Sequence, residues 1–293
     1  MPLYLRAGVV WLGGIVVLLG VFLFMAYVTG WPASPDSCVS TGCYCEAFNL
    51  ADVQAGARGI RQPVNTWGNL YAIVTSGIIA IVLGIDRYRG AAGNAMRSDS
   101  WKADAYVFAA LFLGLGSMWL HASISAAVSW MDGLSMYVFT AFLVFYTLDR
   151  GFVRHQVSET ARKWTFWIGY PATAVLLTVI GAAGVDSFLL ILALVLVYAG
   201  LEFFYARFIW EPWGVFYWIV GAASMENAVL FWVLSKSGKP LCDPTSWFQP
   251  HGLLWHPLAG VMALMMFFYW RRDGISSGAG ASAPAQPSGD GWA

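Results

Sequence analysis

Charge is scarce in this chain. Of 293 residues, sixteen are Lys or Arg and sixteen are Asp or Glu, 11% in all, against roughly a quarter in soluble proteins. So few charges exclude a water-soluble globular domain, and a hydrophobic content of 59% points instead to a polytopic membrane protein. The signs balance to zero, so nothing in the charge marks nucleic acid as a partner. Histidine and cysteine are also rare, at four each, which confines their chemistry to a few positions. Neither an internal repeat nor a second domain is visible. Residues 1–273 read as one transmembrane domain, and 274–293, "GISSGAGASAPAQPSGDGWA", as a disordered tail that cannot bury a core.

What is abundant is apolar runs of membrane length. Gly8–Gly30 carries no charge and is long enough to cross ~30 Å of hydrocarbon as a helix. Only Arg6 precedes it, and its apolar core is longer than that of a signal peptide, so it reads as an anchoring helix. Seven more spans follow, near Pro63–Ile85, Asp104–Ser123, Trp130–Leu148, Trp164–Gly184, Ser187–Tyr205, Trp213–Ser235 and Pro250–Trp270. Eight alternating crossings put Arg58, Arg61, Lys236 and Lys239 on one side and the other twelve basic residues on the opposite side. By the positive-inside rule both termini are then cytoplasmic, and the polar loop 31–62 is extracytoplasmic. All four cysteines also fall outside, where disulfides persist. Four cysteines permit three complete pairings, among which spacing alone does not choose. Cys43-x-Cys45 lacks the second ligand pair of a zinc ribbon.

Against that background, "GSMWLHASISAAVSWMDG" at 116–133 stands out, because it sets a serine, a histidine and an aspartate into a membrane hairpin. An ionisable group at such depth is a functional-site hypothesis by default. Ser117 and His121, four apart, share a helix face. Asp132 follows at the start of the next span, and His251 and His256 begin the last one. The topology brings all five to the extracytoplasmic ends of their helices. Three neutral imidazoles plus a water form the open tetrahedral site of catalytic zinc. Asp132 is placed to take a proton from that water, and Ser117 to hydrogen-bond a polarised carbonyl oxygen. Plainer roles exist for each: a histidine can cap a helix or sit at the interface, Ser117 can bond back to the carbonyl of Leu113, and Asp132 can cap its helix. His155, beside Arg154, reads as solvated surface. Glu202 and Glu226 lie within spans without an assigned role.

These residues carry a resemblance. Ser117-x3-His121, Asp132 eleven residues on and a late histidine pair, together with "YCEAFN" (44–49), "QPVNTWGNLYAI" (62–73) and "LCDPTSWFQPHGLLWH" (241–256), resemble the alkaline ceramidases. Their wider superfamily includes the progestin and adiponectin receptors. The resemblance implies an all-α bundle with a seven-helix core, here with Gly8–Gly30 added at the N-terminus. It implies an intramembrane zinc hydrolase that cuts the N-acyl bond of ceramide or a related lipid to a sphingoid base and a fatty acid. His121, His251 and His256 would be the zinc ligands, with Ser117 and Asp132 catalytic. A receptor-like membrane protein with a structural zinc site is the alternative from the same superfamily. The resemblance also pairs Cys45 with Cys242, leaving Cys38 and Cys43 to pair locally or stay free. Calcium would sit at Glu46 and Asn49, but Gln62 stands where a second glutamate belongs, which leaves calcium poorly supported.

A second departure is the spacing of the late histidines, His-x4-His rather than His-x3-His. On a regular helix, residues five apart differ by ~140° in direction, so one metal could not meet both. Pro257 removes the hydrogen bond to the carbonyl of Leu253 and disfavours regular geometry at His256. A single wide turn over the extra residue would realign the two rings. The rival is a helix that starts only at Pro257, which leaves fourteen residues, short for a ~30 Å core. The wide turn is the favoured expectation.

Overall fold

The computed structural model describes residues 1–41 and 43–274, so the expected disordered tail lies, beyond Gly274, outside the described residues. Among the described residues, eight helices are long and apolar enough to cross a membrane: α1 Leu3–Thr29, α2 Pro63–Tyr88, α3 Trp101–Ser123, α4 Ala126–Arg154, α5 Glu159–Ala182, α6 Ser187–Tyr205, α7 Pro212–Leu234 and α8 His251–Trp270. Among the described residues there is no strand, only two isolated bridges. The chain is an all-helical, multi-pass membrane bundle.

Several helices outrun the apolar stretches that announce them, because their polar ends find partners. Ser100 caps α3 by accepting from the Lys102 N–H, and Asp104 in its first turn receives Arg6 and Arg87. The helix therefore starts at Trp101, ahead of its apolar run. At its far end α4 continues past Leu148 because Asp149 takes Lys102 and Arg162, while Arg150 takes Glu202 and Asp273. At its near end it starts at Ala126, and Ser129 donates to Asp36 of the long loop at 2.5 Å. Pairing removes the cost of leaving a charge alone at the membrane boundary.

α3 is the axis of the bundle. Its most apolar stretch is 89% buried, against 11% for α1, which lies at the periphery against α2 and α3. The Arg6 to Asp104 contact, 2.6 Å, pins α1 to α3. A tight turn at Ile124 and Ser125, with Ile124 in the left-handed region, folds α4 back along α3. This places Ser117 and His121 opposite the first turns of α4.

The loop before α2 is layered over this end of the bundle. Backbone N–H groups of Arg61 and Gln62 donate to the carbonyls of Ala122 and His121, and Ala47 donates to Pro244. Two disulfides are present, Cys38–Cys43 and Cys45–Cys242. The pairing implied by the resemblance is thus in place, and the other two cysteines pair locally. Joining residues 197 apart restricts the unfolded chain, by up to about 5 kcal/mol for so long a loop.

α2 and α8 meet backbone to backbone where both are irregular. α2 breaks at Asn69 and Leu70, and α8 opens in a π-turn, His251–Trp255. A Cβ on Gly68 would lie 2.2 Å from the Gly252 carbonyl oxygen, and one on Gly252 2.7 Å from that of Val64. Backbone cannot yield as a side chain does. Gly68→Ala is therefore expected to cost at least the ~1–3 kcal/mol of an overpacked core, lowering the thermal midpoint of the purified protein by several degrees. An unchanged midpoint would mean that the two helices separate freely.

Candidate metal centre

His121 occupies the last turn of α3, and His251 and His256 open α8. The wide turn is present: His251–Trp255 is π-helical, with the C-cap N–H of His256 bonded to the His251 carbonyl. A π-turn spreads five residues over the angle that a regular helix gives to four, so His251 and His256 both face His121. The three imidazoles are buried, and one donor nitrogen from each lies within 4.8 Å of the others. Among the described residues this is the one group of three or more His, Cys, Asp or Glu that could hold a metal ion.

The residues fit a tetrahedral ion. Nε2 of His121 and Nε2 of His251 are 3.2 Å apart, close to the ~3.4 Å edge of a tetrahedron with bonds of ~2.0–2.1 Å. Both ring nitrogens of His256, and Nδ1 of His251, are buried without a hydrogen-bond partner. An orphaned buried polar atom costs ~1–3 kcal/mol, and a cation held through Nε2 of His121 and His251 would also engage one of the orphaned nitrogens of His256.

The surroundings are specific. Tyr44 stacks on His251 with ring centroids 3.9 Å apart, while its hydroxyl accepts from the Trp232 indole N–H at 3.0 Å. Burial pushes the Tyr44 phenol well above its ordinary value, so the ring stays neutral. Gln62, fully buried, lies with Oε1 3.0 Å from Nδ1 of His121. Ser117 and Asp132 are both buried and line the same small cavity. The Leu113 carbonyl accepts from the Ser135 hydroxyl at 3.1 Å, and Asp132 lies inside α4 rather than at its cap.

Three cavities meet at this point. A small one, about 30 Å³, is lined by Ser117, Asp132, His256, Asn69 and Tyr71. It adjoins an apolar cavity of about 200 Å³ between α4, α6, α7 and α8, the two sharing Thr140, Met225 and Met262. Asp132 and Met136 also line a larger cleft of about 840 Å³ that reaches the loop at Cys43 and Tyr44. Asp132 thus stands between an open cleft and an apolar recess.

Other expected residues have different duties. Both oxygens of Glu46 accept backbone N–H groups at the start of α2, from Val64 at 2.7 Å and Asn65 at 2.8 Å. Burial raises its pKa and those bonds oppose the rise. Asn49 caps the short helix Leu50–Ala55 through the Ala51 N–H. With their oxygens engaged in this way, Glu46 and Asn49 lend the calcium reading no support. Glu202 is held by Arg150 at 2.5 Å, Thr147 at 3.0 Å and Tyr269 at 2.5 Å. Glu226 lines the apolar cavity. Gln62, Tyr44, Asn69 and Tyr71 join the site without having been singled out for it. They lie inside the quoted motifs, but no spacing rule links Gln62 to a histidine 59 residues away.

His121→Ala removes one donor nitrogen from the centre of the group. Metal analysis of the purified variant should find no bound zinc at concentrations that saturate the wild type, whereas His155→Ala, on an exposed ring stacked on Tyr205, should bind as the wild type does. Full zinc occupancy in His121→Ala would remove this histidine from the metal site.

No protein-family model matches the chain, and no curated protein matches it either.

Proposed function

We propose that the chain is an intramembrane zinc-dependent amide hydrolase that cleaves the N-acyl bond of ceramide or a related lipid. One observation carries this reading: three convergent buried imidazoles lie beside the buried pair Ser117 and Asp132, at the junction of an open cleft and an apolar recess. A structural metal site needs the histidines but has no use for that pair or for the recess. The motif resemblance to the alkaline ceramidases points the same way.

His121, His251 and His256 would hold the ion. Zinc so held supplies a Lewis acid and lowers the pKa of water toward ~7. The rest falls to the chain. The apolar recess takes the acyl tail, which sets the scissile carbonyl beside Ser117 and keeps bulk water out. Asp132 accepts a proton from the attacking water as the new C–O bond forms, and returns it to the nitrogen as the C–N bond breaks. Ser117 directs its hydroxyl to the developing oxyanion. A fatty acid and an amine leave, and Asp132 is regenerated.

Sidedness belongs to the same proposal. Both disulfides lie at the metal end of the bundle, and such bonds persist in oxidising compartments. Together with the uneven split of basic residues, this supports an extracytoplasmic site and cytoplasmic termini.

The test is turnover of a fluorescent ceramide by purified protein in detergent. Fatty acid should be released, and chelation should stop the release until zinc is restored. Ser117→Ala should keep its zinc and lose roughly 10²–10³ in rate, and Asp132→Asn roughly 10²–10⁴. Absence of any lipid cleavage, with metal removal only lowering the melting temperature, would instead favour a receptor-like protein with structural zinc.

A further inference from the structure

The three imidazoles are not equivalent before a metal arrives. Both nitrogens of His256 lack a protein partner, and His251 is met only at Nε2, by Nε2 of His121 itself, so nothing outside the cluster selects their tautomers. His121 differs, because its Nδ1 faces Oε1 of Gln62 at 3.0 Å.

Which end of the Gln62 amide faces the ring is not arbitrary. The other end lies 2.8 Å from the Tyr44 carbonyl oxygen and 2.7 Å from that of Glu46. Carbonyl oxygens only accept, so that end must be the NH₂ group, whose two hydrogens are then both used. Oε1 is left facing His121, and it too can only accept. Nδ1 of His121 must therefore carry the proton, and Nε2 keeps a free lone pair. That Nε2 is the atom 3.2 Å from Nε2 of His251, on the metal side of the ring. The Gln62 backbone N–H donates to the His121 carbonyl at 3.1 Å, so one residue grips both ends of the histidine.

We infer that Gln62 is the positioning residue of the metal centre: it sets the tautomer and ring angle of His121 so that this ligand is organised in advance. The inference rests on the metal reading above. Gln62 also connects the centre to the covalent strap over it. The two carbonyls that orient its amide flank Cys45, and Cys45 is bonded to Cys242 in the loop leading into the π-turn of His251 and His256. The amide thus relays the place of the strapped loop to a ligand on α3. Outer partners of metal-bound histidines usually matter in this way, and losing one costs 10–100-fold in metal affinity.

Two variants separate this role from a purely structural one. Gln62→Met conserves volume and loses both the donors to the loop and the acceptor for His121. Gln62→Glu loses the donors but keeps the acceptor. Full-length wild type and both variants, stripped of metal in detergent, are titrated with Co²⁺ and followed by visible absorption. The expected result is roughly 10–100-fold weaker binding in Gln62→Met, with Gln62→Glu restored to wild-type affinity or better and its absorption bands shifted by the charged acceptor. Wild-type affinity in Gln62→Met, or equal weakening in both variants, overturns the positioning role. Should Gln62→Met fail to fold, the Gln62→Glu spectrum decides, and bands identical to the wild type overturn the proposal. Failure of the wild type itself to bind Co²⁺ or zinc is a different result, which overturns the metal reading and this inference with it.

Discussion

Three imidazoles packed side by side among apolar helices need something to do with their nitrogens, since neither lipid nor the surrounding Leu and Met side chains can hydrogen-bond them. Much of the architecture at this end of the bundle answers to that constraint. The tight α3–α4 turn brings Ser117 and Asp132 alongside, and the π-turn aims two residues five apart at one point. The glycine contact between α2 and α8 lets the start of α2, with Gln62 just before it, approach closely. The three rings could hold one cation between them, and without it both nitrogens of His256 and Nδ1 of His251 have no hydrogen-bond partner.

The opposite end of the bundle obeys the same rule with other chemistry. Asp104 is shared by Arg6 and Arg87, Asp86 takes Arg271, Asp149 takes Lys102 and Arg162, and Glu202 takes Arg150 with Tyr269 and Thr147. Each buried charge has an opposite charge or a hydrogen-bond donor, so this layer reads as structural clamps between helix ends. At the histidine end, by contrast, it is titratable ring nitrogens, of His251 and His256, that are left without partners. That contrast is why the catalytic proposal is attached to the histidines and not to Glu202, although both lie in buried polar clusters within spans.

The loop over the site is stabilised covalently because its own apolar content is small. It is cross-linked twice, and its carbonyls hold the Gln62 amide while its Tyr44 ring covers His251. A loop this polar has little surface to bury, so disulfides and backbone pairing do what packing does elsewhere. Glu46 belongs to this scheme, since its carboxylate satisfies the exposed N–H groups at the start of α2.

Much of this was legible before any coordinates. The eight spans follow from apolar length against the thickness of a bilayer, and only their ends shifted, where Asp149, Arg150 and Asp104 found ionic partners that hydropathy does not register. The His-x4-His spacing with Pro257 called for a wide turn because helix geometry allows few other ways to aim both rings at one metal. The Cys45–Cys242 pairing came from motif resemblance and not from spacing, and the structure contains it. Only the tertiary structure could assign Gln62 to His121, Tyr44 to His251 and Ser117 to Asp132, because such pairings depend on how separate helices rotate and how a cross-linked loop drapes over them. Local propensity and hydrophobic period determine which segments are helices; which side chains meet across those helices is decided by packing, in directions that no local rule along the chain encodes.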